Sequence, residues 1–239
     1  MKTLAAFTAA MLLAGAAHAQ SAQVDRYIHA GKLIDRPGQA PRGASTIAVK
    51  GGKIVGVYDG HVTPLGEAPV IDLKDRTVLP GLIDSHVHLS SDRAGQEGLL
   101  AGFTESKQMG AYEALWNARK TLMAGFTTVR NLGDEGATLA LRDAIARGWV
   151  SGPRILDAGM GISTTSGHGD HRLGIVEELH EAVGAANLCD GADECRKATR
   201  LQIGRGADVI KIATTRGVNS RIGAGLGKQV FDEETKGIV

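Results

Sequence analysis

The run Val78-Leu79-Pro80-Gly81-Leu82-Ile83-Asp84-Ser85-His86-Val87-His88-Leu89 constrains this chain more than any other stretch. It is an apolar, β-type segment that ends in two histidines spaced i, i+2. Side chains alternate across a strand, so His86 and His88 share one face at its C-terminal end. Two imidazoles side by side on a rigid strand supply half of a transition-metal site. A hydrogen-bonded turn can also use such a pair, but the preceding strand and the Pro80-Gly81 break favour the metal reading.

Around this run the pattern changes character. From about Tyr27 to Leu79 the chain alternates short β-runs with turn signals, as in Thr46–Lys50, Gly51-Gly52 and Lys53–Val57, which predicts a small β-sheet domain. After Val78, strands and helices alternate. The spacing predicts strands at about Val78–Leu89, Thr127–Leu132, Arg154–Ala158 and Asp208–Ala213, and helices at about Lys107–Met123, Ala137–Arg147 and Asp193–Arg205. Trp116 falls at helical spacing with Met109, Tyr112 and Leu115 and is assigned to the core. Repeated βα units imply a parallel sheet, whose chemistry gathers at the C-terminal strand ends. There the candidates are His86 and His88, then Asn131 with Asp134, then the loop Ser166-Gly167-His168-Gly169-Asp170-His171, and last Lys211.

Lys211 sits in Val209-Ile210-Lys211-Ile212-Ala213, a run too apolar for a solvated face. Burial pushes a lysine towards the neutral amine unless a carboxylate pairs with it. Two readings stand: an ion pair with a neighbour such as Asp208, or a neutral amine that takes up carbon dioxide as a carbamate.

Leu79–His88 resembles the first barrel strand of the metal-dependent amidohydrolase superfamily. Ala124–Gly133, Cys189–Lys197 and Gly206–Ile212 are similar to the branch that holds Xaa-Pro dipeptidases and imidazolonepropionase-like enzymes. The resemblance implies an α/β fold, a (β/α)8 TIM barrel of which only the first half is present, with a small N-terminal β-sandwich-like domain. It implies residues 20–78 as the β-domain, part of a composite sandwich, and 79–239 as the half barrel. It further implies a divalent metal centre, two zinc ions per complete barrel, held by His86, His88 and a carbamylated Lys211. The remaining ligands of that site, from strands five, six and eight, have no counterpart here. A closed barrel of this type takes about 250 residues, so the expectation is a truncated chain whose own activity is in doubt.

The same resemblance implies hydrolysis of C–N bonds in a small-molecule or dipeptide substrate, with a cyclic-amide hydrolase or a non-catalytic fragment as alternatives. His168 is read as a substrate contact and catalytic support. Arg216 could fork onto a substrate carboxylate; the branch usually has a small residue there, and a plain surface arginine is the other reading. His171, His180, His29 and His61 read as solvated surface. There is no Gly-x-Ser-x-Gly elbow, phosphate-binding loop or His-Glu-x-x-His.

Composition narrows the setting. Lys2, the apolar Leu4–Ala16 and Ala17-His18-Ala19 form a cleavable signal peptide over 1–19, which predicts a periplasmic or secreted protein. The apolar run is short for a transmembrane span, so no membrane partner is expected after cleavage. With 27 basic against 26 acidic residues the net charge is +1, and this gives no footprint for nucleic acid. The pattern leaves a homo-oligomer open. Cys189 and Cys195 are the only cysteines; in an oxidising compartment they are a disulfide candidate, with two free thiols as the alternative.

Overall fold

The β-runs of the first segment pair into one twisted sheet. In the computed structural model, which describes residues 24–90, 93, 95–134, 136–217 and 230–239, β1 (Arg26–Leu33), β2 (Ser45–Lys50), β3 (Lys53–Asp59) and β4 (Val70–Val78) lie in the order β3-β2-β1-β4. The first three are antiparallel neighbours, and β4 runs parallel to β1. The signal expected over 1–19 lies outside the described residues. Ala30, Leu33 and Ile47 are buried with Ile28, Val49 and Val57 against them, while Ile54 and Val55 on β3 stay exposed. His29, expected at the surface, is instead buried. Its Nε2 meets Val62 O at 3.0 Å, and its ring stacks on His61.

One compact unit of the chain ends at Pro80 and a second begins at Gly81. The second starts with β5 (Leu82–Val87), followed by α1 (Gly95–Thr104), α2 (Lys107–Met123), β6 (Phe126–Asn131), α3 (Ala137–Ala146) and β7 (Arg154–Asp157). The three strands form a parallel sheet in the order β5-β6-β7. Ser106 caps α2, its side chain accepting from Met109 N; this satisfies one orphan donor of the first turn. Val129 and Ile155 alternate inwards and pack with Ala114, Ala118 and Leu141 from the helices. Full burial of one such branched side chain contributes roughly 1.5–3 kcal/mol.

A second cluster closes around Ile162, Cys189, Cys195 and Ala198, between the loops and α5 (Gly191–Gly204). Cys189 and Cys195 are joined, with an S–S distance of 2.03 Å. A 3-10 turn at Glu177–Leu179 leads into the short α4 (His180–Val183), and α6 (Asp232–Ile238) packs on α5. This is the opening βα portion of a TIM-type barrel. Among the described residues the sheet does not close, and Leu82 and Ile83 on β5 remain exposed.

Two expectations are corrected. The segment Asp208–Ala213 is not a continuous strand. Asp208 N and Val209 N both donate to Asp157 O, and pairing resumes only at the Ile162–Ile212 bridge. The gap in pairing faces the turn after β7, where Gly159 takes φ +59°, a conformation outside the extended range of a strand. Trp116 is not core: it is 65% exposed. Ala114, Asn117 and Ala118 take the buried face of α2 instead.

Candidate metal and substrate site

The end of β5 is held by side chains from its neighbours rather than by the ladder alone. The β5–β6 register is irregular between Asp84 and Val87. There Arg130 Nε donates to Ser85 O at 2.8 Å, replacing a ladder bond immediately before His86. Beyond it, Leu89 N donates to Asn131 Oδ1 at 2.9 Å, and Asn117 Nδ2 donates to Leu89 O at 2.9 Å. Both backbone groups of Leu89 are thus satisfied in a buried place, as interior polar groups must be. His86 and His88 lie between these clamps, their ring centroids 5.3 Å apart.

His88 Nδ1 lies 3.2 Å from Gly133 O. A carbonyl only accepts, so this contact requires Nδ1–H and leaves the Nε2 lone pair outward, as a metal ligand needs. Gly133 can aim its carbonyl this way because its φ is +145°.

Asn131 is fully buried, so it supports the site from behind rather than entering it. Its Nδ2 donates to Thr138 Oγ1 at 2.8 Å, and the Thr138 hydroxyl passes a hydrogen bond to Asp134. Asp134 also accepts from Gly136 N and is a loop anchor. Asp157 is buried in the same network; burial, opposed by bonds from Thr138 and Gly159, pushes its carboxyl up.

Lys211 is half-buried rather than fully buried. Burial, and then the Arg130 guanidinium, hold its amine below the ordinary lysine value. Asp208 is not its partner: that carboxylate accepts from Arg142 Nη1 at 2.7 Å and from Asp157 N at 2.9 Å. Among the described residues no carboxylate pairs with the Lys211 amine. The Lys211 stem lies against Gly161, where a Cβ would come within 3.0 Å of Lys211 Cγ.

Two glycines set His88 and Lys211 side by side: a Cβ on Gly133 would lie 3.6 Å from the His88 ring and 3.8 Å from Gly161 N, and Gly161 lies against Lys211. Desolvation, followed by the charges of Lys211, His88 and Arg130, holds the His86 imidazole below its usual value, against Asp84. His168 is held down by burial, then by Lys211, His171 and His88. His168 packs on the loop that follows Lys211: a Cβ on Gly217 would lie 2.3 Å from the His168 ring. Arg216, half-buried, precedes that glycine. His171 is exposed.

The His168 loop is built around Asp170. Its carboxylate accepts from Ser166 N, Arg172 N and the Arg172 guanidinium, and Ser166 is held at φ +60°. The Arg172 bonds, ahead of the opposing burial, bring Asp170 down to about 2. A carboxyl lowered on folding stabilises above its unfolded value and loses that contribution as pH falls towards the folded value. The loop therefore loses about 2 kcal/mol between roughly pH 4 and pH 2. Asp170→Asn removes this acid transition in backbone amide exchange of residues 166–172; an unchanged transition would contradict the assignment.

Sequence reasoning missed Asn117, Arg130 and Gly217. Arg130, exposed beside the inward Val129, carried no signal, and the partners of Asn117 and Gly217 lie 28 and ~50 residues away. His86, His88 and Lys211 are the residues that could hold a metal. The donor chemistry fits two ligands outright and a third once the amine gains a carboxylate. No group of three His, Cys, Asp or Glu that could hold a metal occurs among the described residues.

Comparison with known proteins gives the family and the fold. The model of the amidohydrolase family matches residues 77–239. Ochratoxinase of Aspergillus niger is 33% identical over 181 residues, which cover 68% of this chain and 36% of that protein. The solved structure of a Xaa-Pro dipeptidase with methionine bound in its active site superposes with a TM-score of 0.82 at 36% identity, covering 89% of this chain and 52% of the dipeptidase. A prolidase complexed with N-methylphosphonate-L-proline gives 0.76 at 34% identity, covering 90% and 52%. The chain therefore spans about a third of the curated relative and half of the solved ones.

Proposed function

Because this chain belongs to the amidohydrolase family, to whose model its residues 77–239 conform, we propose that it forms the metal-gripping portion of a dipeptidase-like hydrolase of C–N bonds. The observation that carries the reading is the packing of His88 on Gly133 and of Lys211 on the adjoining Gly161, with the His86 ring beside His88 and no carboxylate paired to the lysine amine among the described residues. A cation left without a counter-ion is costly. The neutral amine would add carbon dioxide and release a proton, giving a carbamate that would serve with His86 and His88 as an anionic oxygen donor to a divalent ion.

When bound, such ions supply a Lewis acid and a water acidified to near neutral pH. Zinc suits imidazole and carboxylate-type donors. The chain's own residues then divide the remaining work. Arg130, Asn117 and Asn131 hold the His86–His88 backbone, and Gly133 fixes the His88 tautomer. His168, kept neutral by its surroundings, presents an uncharged imidazole to a substrate amide, and Arg216 faces its carboxylate. The similarity to a Xaa-Pro dipeptidase and a prolidase supports a small peptide substrate.

The test is hydrolysis of a dipeptide panel, with metal content measured in parallel, by this chain and by a version extended to the full length of its relatives. Turnover is expected only from the extended version; turnover by the 239-residue chain alone would overturn that reading. A panel of cyclic amides in the same assay distinguishes the cyclic-amide alternative. We also propose export to the periplasm through residues 1–19, a setting supported by the Cys189–Cys195 disulfide. Sequencing of the mature N-terminus is expected to begin at Gln20.

A further inference from the structure

One buried amide joins the His168 loop to the backbone beneath Lys211. Asn187 is 4% exposed. Its Nδ2 donates to Gly161 O at 2.9 Å and to Gly169 O at 3.0 Å, across 26 and 18 residues of chain. Both acceptors are carbonyls, so only the NH2 end of the amide can serve them. Each acceptor adjoins a residue of the site. Gly169 directly follows His168. Gly161 is the glycine against which the Lys211 stem lies, and the next residue, Ile162, donates from its N to Lys211 O at 2.8 Å.

The loop is pressed onto this amide. Gly169 N donates to Ser163 Oγ at 3.1 Å, so two buried side chains hold both backbone groups of Gly169. A Cβ on Gly169 would come 2.9 Å from Ser163 Cβ and 3.3 Å from Asn187 Nδ2, and one on Gly167 would overlap Ser163 Oγ. Glycine on either side of His168 is what lets the loop lie flat on Ser163. Asn187 itself has a firm seat. Its carbonyl accepts from Ser163 N, Cys189 N donates to Ser163 O at 2.9 Å, and Cys189 is bonded through sulfur to Cys195 of α5. The tie is therefore anchored on α5 and not on the loop that it holds.

We infer that Asn187 is a positioning residue, a clamp that fixes the place of the His168 imidazole relative to Lys211 by tying Gly169 to Gly161. Its part in hydrolysis rests on the proposed function; the tie between loop and lysine does not. Asn187→Leu keeps a similar bulk and removes both donors. In this chain, amide exchange at Gly169 and Ile162 is expected to speed up together by about tenfold or more. The His168 ring signals shift in the NMR spectrum, while those of His29 and His61 in the other unit stay in place. Exchange at Val129, fully buried in a separate cluster, stays as in the parent.

In the version extended to the length of its relatives, KM for a dipeptide rises about tenfold with kcat within about twofold, the pattern of lost substrate positioning. Gly169→Ala pushes the loop off the same clamp without touching the buried amide, at a backbone position that is not left-handed. It is expected to give the same His168 shift and the same KM, and it decides the matter if Asn187→Leu does not fold. An extended parent without turnover defeats the hydrolase reading alone, and the exchange and NMR results then decide the clamp. Faster exchange at Gly169 with Ile162 and the His168 signals unchanged overturns the inference, because the amide then holds the loop without reference to the lysine. Equal acceleration at Val129 overturns it too, since Asn187 would then support the whole unit. So does an unchanged KM in an active extended variant.

Discussion

Replacing Lys211 by methionine is expected to weaken zinc binding by more than roughly a hundredfold, beyond the loss that outer-shell partners usually cause. The reasoning is chemical. On the proposed reading His86 and His88, whose rings lie 5.3 Å apart, are two imidazole donors, and two imidazoles alone leave a divalent cation poorly held and uncompensated in charge. On the same reading Lys211 would become the third donor only once its amine had become a carbamate. Lys211→Glu retains a carboxylate on a shorter stem and is expected to recover part of the affinity. Because Lys211 is half-buried at the rim, neither substitution should move the unfolding midpoint by much more than the ±0.5 kcal/mol usual for such positions. A large loss of stability in Lys211→Met would show that the residue is structural.

Asn131→Leu is expected to be the most destabilising single change in the barrel portion, by about 3 kcal/mol or more. The side chain is fully buried. Its loss orphans Leu89 N, which has Asn131 Oδ1 as its partner. It also removes the donor to Thr138 Oγ1 and leaves Asp134 and Asp157 facing each other without the amide between them. Each buried polar group left unpaired costs roughly 1–3 kcal/mol. Urea titration measures the change, and the same variant is expected to loosen zinc because Leu89 follows His88 directly. Asn117→Leu, which orphans only Leu89 O, should cost less. Equal costs would mean that the Asp134–Thr138–Asp157 network contributes nothing.

What could be read from the sequence followed from local periodicity. The span of α2 coincides with the spacing of its apolar residues, and its N-cap is a serine immediately before it. Strand β5 was legible because a two-residue period placed two imidazoles together at its end. What escaped was long-range. The segment around Lys211 has the composition of a strand, yet among the described residues it meets its neighbour at separate points, Asp208 and Val209 on Asp157 O and the Ile162–Ile212 bridge, with no continuous ladder. Helical spacing with Met109, Tyr112 and Leu115 puts Trp116 in the core, yet it is 65% exposed. The small residues Ala114 and Ala118 won that face because the helix lies close on the sheet. Asn117 looks like a surface polar residue in one dimension, and Asn131 like a group that enters the site. Their burial is decided by Leu89, a residue in a different element.

The same distinction applies to Lys211. Sequence alone left open an ion pair with Asp208, and the fold removes it by giving Asp208 to Arg142 and the Asp157 amide. The pairing crosses 66 residues, so no local rule reaches it. Arg130 completes the change, because a second cation near Lys211 disfavours the ammonium form.

The most direct measurement is a zinc titration of this chain with and without bicarbonate, run in parallel on Lys211→Met. Tighter binding in bicarbonate by the parent, and an affinity in Lys211→Met that bicarbonate leaves unchanged, is the predicted result. Equal zinc affinity in parent and variant under saturating bicarbonate would contradict the account.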